Sequence, residues 1–182
     1  MLEKGSLLIA EPTGLSDLNF DRSVILLVEH NESGSVGFIL NKKLNYSTKD
    51  LIIDIKYKFP IYNGGPVHTE NLYFIHNQPK LIPNSLRITK EIYWGGDFSI
   101  VLKLINSKQI KLDEIKFFLG YSGWDKNQLE NEIAISSWVV KKENRDTNLL
   151  LKNCDDIWKE KLLELGGKYL IWSNSPENPS NN

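Results

Sequence analysis

The chain has 182 residues, of which 41% are hydrophobic and 25% are charged, and its 22 basic and 23 acidic residues leave a net charge of −1. This balance is typical of one folded globular domain and argues against an intrinsically disordered chain. Because the chain has no global positive charge and arginine occurs only as Arg22, Arg87 and Arg145, we expect neither direct nucleic-acid binding nor a membrane partner.

Cysteine usage and hydropathy indicate the compartment. Cys154 is the single cysteine, so one chain can form neither an internal disulfide nor a cysteine-rich zinc site. The apolar run at residues 7–10 is too short for the apolar region of a secretory signal peptide. The longest strongly apolar run, 24–28, is far shorter than the ~20 residues of a membrane-spanning helix. The sequence therefore predicts a soluble, cytoplasmic protein.

The N-terminal part of the chain predicts strands. Apolar and β-branched residues at 7–10 and 23–30 predict two strands, and the unbroken apolar stretch of the second indicates burial on both of its faces. A turn signal at 31–34, followed by alternating side chains from Val36 onward, predicts an antiparallel hairpin. Gly37, inside the second arm of this hairpin, predicts a bulge or a close backbone approach.

Three helix starts can be recognised in the middle of the chain. Ser47 can cap a short helix. Asp97 can cap an amphipathic helix, because apolar residues recur at helical spacing over 98–105. Asn127, with Glu130 three residues later, resembles a capping box that opens a third helix. Short strands are predicted at 61–62, 72–76, 92–94, 116–121 and 138–140.

The C-terminal part predicts one more helix, a strand and a tail. The helix is expected over 155–165, with Asn153 as its cap and Gly166 as its stop signal. Residues 169–172 are predicted to form a final strand, and the polar residues 173–182 a mobile tail. Helices that are interspersed irregularly among hairpin-linked strands indicate an α+β fold, with residues 1–172 as a single domain.

Several blocks anchored by glycine and tryptophan follow one another along the chain. They read GSLLIA at 5–10, FDRSVILL at 20–27, GFILN at 37–41, GGPV at 64–67, WGGD at 94–97 and GYSGW at 120–124. In this order and spacing they resemble the AlgH/YqgE-like family, over about residues 5–172. The resemblance implies a compact α+β fold with a strongly bent, partly barrel-like sheet.

The same resemblance implies a function less directly. The family carries the label of transcriptional regulator, which disagrees with the charge balance and the few arginines of this chain. The sequence also departs from the family pattern, with Lys43 in place of a frequent proline and with Asp125 and Asn127 in place of frequent glycines. The second departure bears on any activity that the loop after Trp124 would carry.

Ser122 is the one candidate nucleophile. The Gly-Tyr-Ser-Gly-Trp block is similar to a nucleophile elbow, but that motif needs a glycine two residues after the serine, where this chain has Trp124. A structural loop, in which the glycines permit positive φ angles and the aromatic rings pack, is the interpretation we favour.

The sequence contains no established metal or cofactor motif. His30, His68 and His76 lack the spacing of metal ligands, although His68 and Glu70 could reach one ion together. The glycines before Asp97 could present N–H groups to an anion, but the Asp97 carboxylate would itself occupy those groups. We therefore expect neither a metal nor a cofactor.

The sequence leaves two functional hypotheses. The first is a non-catalytic binding or regulatory domain with an unknown protein or small-molecule partner. The alternative is an enzyme, for example a hydrolase, with a pocket around Ser122 and His30. Both depend on whether the candidate site residues converge on one accessible pocket; these are Arg22, His30, Asn41, Trp94, Ser122 and Trp124.

Overall fold

A computed structural model describes residues 2–12, 18–142, 148–151 and 156–174. Its ten strands are Ser6–Ala10 (β1), Val24–Asn31 (β2), Gly34–Ile39 (β3), Lys43–Ser47 (β4), Pro60–Asn63 (β5), Val67–His76 (β6), Leu86–Arg87 (β7), Tyr93–Trp94 (β8), Ile115–Asp125 (β9) and Trp138–Lys142 (β10). The α-helices of the described residues are Thr48–Leu51 (α1), Phe98–Asn106 (α2), Gln128–Ala134 (α3), Asn148–Leu151 (α4), Ile157–Leu165 (α5) and Tyr169–Ser173 (α6).

The strands form one mixed sheet in the order β10-β1-β2-β3-β9-β6-β8-β7. Pairing along this path is antiparallel, whereas β5 joins β9 in parallel and carries β4 at its other side. The sheet is not closed, because β10 and β7 lie at its two ends. The predicted α+β fold is confirmed, with an open sheet.

Helices cover both faces of the sheet, which explains the unbroken apolar run of β2. Val24 and Leu26 pack on one face, with Trp158 of α5, whereas Ile25 and Leu27 pack on the other face, with Leu129 of α3. A third apolar cluster lies between α2 and the N-terminal half of β9. The expectation that β2 is buried on both faces is therefore confirmed.

The predicted hairpin forms from β2 and β3. The two strands pair antiparallel, with a register irregularity between Leu27 and Glu29. Gly37 lies opposite Leu27, and a Cβ atom at Gly37 would lie 3.0 Å from the backbone carbonyl oxygen of Leu26 and 2.6 Å from a methyl group of Ile25. The close approach predicted for Gly37 is thus confirmed.

The predicted caps of two helices are confirmed. Ser47 and Asp50 form a capping box at the start of α1. The Asp97 carboxylate accepts hydrogen bonds from the backbone N–H groups of Ser99 and Ile100 at 2.9 and 3.3 Å, so it occupies the N-terminus of α2.

The cap predicted for α3 is wrong. Asn127 precedes this helix in a left-handed conformation, φ +63°, and its side chain makes no capping hydrogen bond. Instead the Gln128 side-chain oxygen accepts from the backbone N–H of Asp125 at 2.9 Å. Asn127 serves the turn into the helix, since asparagine tolerates a left-handed backbone better than most residues.

The strand predicted at 169–172 is also wrong, because these residues lie in α6. Gly166 and Gly167, with φ angles of +68° and +55°, turn the chain after α5. Tyr169 and Trp172 then pack against the core while Ile171 is exposed. This spacing of three is helical, and it overrides the β-type composition of the segment.

Some predictions extend beyond the described residues. Cys154, the cap at Asn153 and residues 175–182 lie outside them, and Ser173, placed in the predicted tail, ends α6.

The sequence did not predict β4 or β7, which are a short irregular edge strand and a two-residue strand. None of the helices in the described ranges combines the length and apolar character needed to span a membrane.

His76, at the end of β6, is completely buried. Its Nδ1 accepts a hydrogen bond from the backbone N–H of Gln78, and its Nε2 lies 3.0 Å from the carbonyl oxygen of Gly95. The ring is therefore neutral, with its proton on Nε2, from which it donates to Gly95. Burial lowers the pKa of His76 from 6.5 to about 4.

This lowered pKa predicts an acid-sensitive contribution to stability. The neutral His76 ring contributes its full stabilisation above pH 6.5, the pKa of the same ring in the unfolded chain. About 3 kcal/mol of the free energy of unfolding is lost as the pH falls from 6.5 to about 4, because over this interval the unfolded chain binds a proton and the folded chain does not. In urea unfolding, the advantage of the natural chain over a His76→Gln variant should shrink over this interval. An NMR titration midpoint of the His76 ring close to 6.5 would contradict this.

Candidate functional site

Arg22 and Asn41 lie together at the open end of the β2–β3 hairpin. The Asn41 side chain accepts from the backbone N–H of Val24 at 2.9 Å and donates to the carbonyl of Arg22 at 2.8 Å. The Arg22 guanidinium lies 5.2 Å from the centre of the Trp158 ring. These contacts hold the start of β2 and the core face of α5 in place.

Ser122 is completely buried, in the C-terminal half of β9. Its hydroxyl donates a 3.0 Å hydrogen bond to the carbonyl oxygen of Gly64. That carbonyl also accepts from the backbone N–H of Ile39 at 3.0 Å, so it joins β3 to β9. The serine therefore closes a backbone junction.

The glycines around Ser122 allow two backbone segments to cross. A Cβ atom at Gly64 would lie 2.2 Å from the carbonyl oxygen of Gly120, and one at Gly65 would lie 2.3 Å from the backbone of Tyr121. Gly120 itself has a φ of +68°. This crossing leaves no space for a side chain at Gly64 or Gly65.

Trp94 lies on the other side of β9 from the hairpin and is half-buried. Its ring packs edge-on against Phe38 at 6.0 Å. From Phe38 a row of aromatic rings continues through Tyr73 and Tyr121 to His68, with centroid separations of 5.7 to 5.8 Å. Trp94 therefore begins an aromatic row that connects the core with the exposed end of β9.

Trp124 is buried and has a structural role. Its indole N–H donates to the Glu132 carboxylate at 2.9 Å, and Trp138 donates to the same oxygen at 2.7 Å. Gln128 donates to the other carboxylate oxygen at 2.9 Å. One acidic side chain of α3 thus attaches that helix to two strands, β9 and β10.

His30 lies at the closed end of the hairpin. Its Nδ1 is 2.8 Å from the Ser35 hydroxyl, its cross-strand neighbour, and its Nε2 is 3.8 Å from a Glu130 oxygen. The serine that contacts His30 is therefore Ser35, and Ser122 belongs to the glycine crossing. The structure brings Trp124 and His30 to one end of the hairpin, Arg22 and Asn41 to the other, and Trp94 and Ser122 to neither.

A pocket of about 350 Å³ lies beside the hairpin turn. We call it the hairpin pocket; its walls come from residues 29, 31 and 33–36 of the hairpin, from Val67, from residues 121 and 123–125 of β9, and from Gln128. Glu29 and Asp125 supply carboxylates, and no lysine or arginine lines it among the described residues.

The sequence analysis missed Glu29, Asp125 and Tyr121 as pocket residues. They come together because Gly34 pairs with Asp125 and Gly37 with Ser122 across β3 and β9. This pairing joins parts of the chain that are far apart in sequence, so no local spacing could have signalled it. The one available signal was Gly34, whose Cβ would lie 2.2 Å from the carbonyl oxygen of Trp124.

His68 and Glu70, the pair considered for metal binding, are both exposed. His68 Nδ1 lies 3.4 Å from a Glu70 oxygen. Within the part of the chain that the structure describes, no group of three or more His, Cys, Asp or Glu side chains could hold a metal ion. The described residues thus offer two ligands at most at this position.

The open mixed sheet with helices on both faces is that of a single-domain α+β protein. The family model DUF179, described as AlgH-like, matches residues 7–170. The chain therefore belongs to the AlgH-like family, as the glycine and tryptophan blocks indicated.

Individual relatives cover nearly the whole chain. A UPF0301 protein of Bacteroides thetaiotaomicron is 43% identical over 184 residues, covering 98% of this chain and 91% of the relative. One from Cytophaga hutchinsonii is 39% identical and covers 98% of both. The solution structure of the AlgH protein from Pseudomonas aeruginosa has a TM-score of 0.74 at 25% identity, covering 96% of this chain and 95% of the other. A crystal structure from Corynebacterium diphtheriae has a TM-score of 0.78 at 19% identity, covering 96% and 93%.

The indole contacts of Glu132 predict a large effect on stability. Replacing Glu132 with Ala should lower the free energy of unfolding by about 3 kcal/mol, because two buried indole N–H groups lose their acceptor. Urea unfolding followed by tryptophan fluorescence measures the change. Glu130→Ala, on the same helix but half-exposed, should cost less than about 1 kcal/mol. Equal losses in the two variants would contradict the assigned role of Glu132.

Proposed function

We propose that this protein is a non-catalytic binding domain whose hairpin pocket receives a cationic side chain, lysine or arginine, of a protein partner. The observation that carries the proposal is the charge of the pocket, which is lined by two carboxylates and by no lysine or arginine of the described residues. Such a pocket attracts cations and repels phosphate groups.

The walls of the pocket suit a cation on an aliphatic chain. Half-buried Val36 and Val67 supply apolar surface, and the half-buried Tyr121 ring supplies an aromatic face. Lysine and arginine bury their methylene chains on apolar surface while the charged group stays near water or lies over an aromatic ring. The volume of about 350 Å³ falls in the lower range of small ligand sites.

Hydrogen bonds fix the position of the pocket walls before any partner arrives. The Asn31 amide donates to Glu29 at 2.6 Å, and its oxygen accepts from the backbone N–H of Ser33 at 2.8 Å. On the opposite wall, Gln128 links the backbone of Asp125 to Glu132. A preorganised site loses less conformational entropy on binding.

The family label of transcriptional regulator supports a regulatory role, and we propose that this role is exerted through protein contacts and not through DNA. A carboxylate-lined pocket disfavours the phosphate backbone, and direct DNA binding is no part of this proposal. We further propose the cytoplasm as the compartment, on the basis of the single cysteine.

Hydrolysis at Ser122 is not the function that we propose. The Ser122 hydroxyl is buried and donates to a backbone carbonyl, whereas an activated nucleophile needs a general base as its acceptor. His30 contacts Ser35 instead, within the antiparallel ladder of the hairpin.

A labelled hexaarginine peptide tests the proposal by fluorescence anisotropy. We expect saturable binding that is weakened about tenfold or more in a Glu29→Gln, Asp125→Asn variant, because hydrogen bonds to charged groups contribute about 1.5–3 kcal/mol each. The matched control, Glu91→Gln, Asp113→Asn, removes two exposed carboxylates outside the pocket and should bind like the natural chain. Equal weakening in both variants, or no saturable binding, would refute the proposal.

A further inference from the structure

A second surface of the protein has the opposite charge. The segments 43–58 and 106–112 carry exposed lysines that form no ion pair with any described residue; among them are Lys43, Lys49, Lys56, Lys58 and Lys108. We call this region the lysine surface. The acidic residues of segment 43–58 are Asp50 and Asp54, of which Asp50 accepts hydrogen bonds from the backbone N–H and the hydroxyl of Ser47 at 2.7 and 2.6 Å.

Large apolar side chains project from the same surface. Ile53 is fully exposed, at 100%, and Tyr46, Leu51, Tyr57 and Leu112 are 38 to 59% exposed. Leaving such side chains in water gives no hydrophobic stabilisation. Their grouping among exposed lysines is therefore typical of a surface that meets a partner.

Contacts between the segments show that these residues form one surface. Asn106, at the end of α2, accepts from the backbone N–H of Lys56 at 2.8 Å and donates to the carbonyl of Asp54 at 2.7 Å. The Lys108 ammonium lies 5.3 Å from the centre of the Tyr57 ring. Lys43, Tyr46, Lys58 and Leu112 line a single depression of about 350 Å³.

We propose that the lysine surface docks the protein on an anionic lipid bilayer, with Ile53 entering the interfacial region. Exposed apolar side chains that project among lysines are the combination that binds anionic headgroups and the adjacent acyl boundary. Protein interfaces are depleted in lysine and enriched in arginine, and the described part of this surface contains no arginine. Specific nucleic-acid contacts likewise favour arginine.

The inference revises the expectation that the chain has no membrane partner. That expectation rested on the net charge of −1, which averages the lysine surface with acidic residues elsewhere, such as those of the hairpin pocket. Local charge within a Debye length of about 8–10 Å, and not net charge, governs attraction to a surface. The inference uses residues outside the hairpin pocket, so it stands or falls separately from the proposed binding domain.

Vesicle sedimentation of the full chain tests the inference. We expect binding to vesicles in which about a third of the lipid is phosphatidylglycerol and none to pure phosphatidylcholine, with release at high salt. A Lys56→Glu, Lys58→Glu variant should bind at least tenfold more weakly, because each lysine near an anionic surface contributes about fivefold. Ile53→Ser, which leaves the charge unchanged, should weaken binding severalfold.

A matched charge reversal provides the control. Lys80 and Lys90 are exposed lysines outside the lysine surface, and the Lys80→Glu, Lys90→Glu variant should bind like the natural chain. Equal weakening in both double variants, or unchanged binding in Lys56→Glu, Lys58→Glu, overturns the inference. Binding to neutral vesicles also overturns it. Displacement from anionic vesicles by duplex DNA at equal charge concentration would identify nucleic acid as the partner instead.

Discussion

The architecture of this protein depends on a crossing of two backbone segments at Gly64 and Gly120. A Cβ atom at Gly64 would lie 2.2 Å from the Gly120 carbonyl oxygen, so no larger residue fits without displacing the backbone. At this point β9 changes its neighbour on one side, from β5 at residues 117–119 to β3 at 122–125. The carbonyl of Gly64 joins the two regions by accepting from Ile39 and Ser122.

The hairpin pocket is a consequence of this change of neighbours. Because β3 pairs with β9 only beyond the crossing, at residues 122–125, the hairpin turn lies beside the C-terminal end of β9. Glu29 and Asp125 then face one cavity although 96 positions separate them in the chain. Trp124, which is one of the residues that line the pocket, holds this end of β9 on α3 through Glu132. The glycine and tryptophan blocks therefore shape the site, and Tyr121 of the block at 120–124 also forms part of its wall.

Local signals in the sequence predicted the elements but not the site. The β2–β3 hairpin and the Asp97 cap of α2 depend on neighbouring residues, and both were predicted correctly. For residues 169–172 the β-type composition predicts a strand, but the segment is helical. Only Tyr169 and Trp172, three residues apart, contact the core, and this is too short a pattern to indicate a helix. The pairing of β3 with β9 is a long-range choice, so no local spacing predicts that Glu29 and Asp125 share a pocket with Trp124, or that Ser122 lies at the glycine crossing. Net charge similarly concealed the separation of the carboxylates at the pocket from the lysines around α1.

The thermal stability of a Gly64→Ala variant tests the crossing most directly. Gly95 provides the comparison, because a Cβ atom there would meet nothing within 4 Å although its φ is +66°. The steric account predicts that Gly64→Ala lowers the melting temperature by about 10 °C or more, or prevents folding, since overpacking against backbone costs roughly 3 kcal/mol or more. Gly95→Ala should lose only a few degrees. A Gly64→Ala protein that melts at the same temperature as the natural chain would contradict the account.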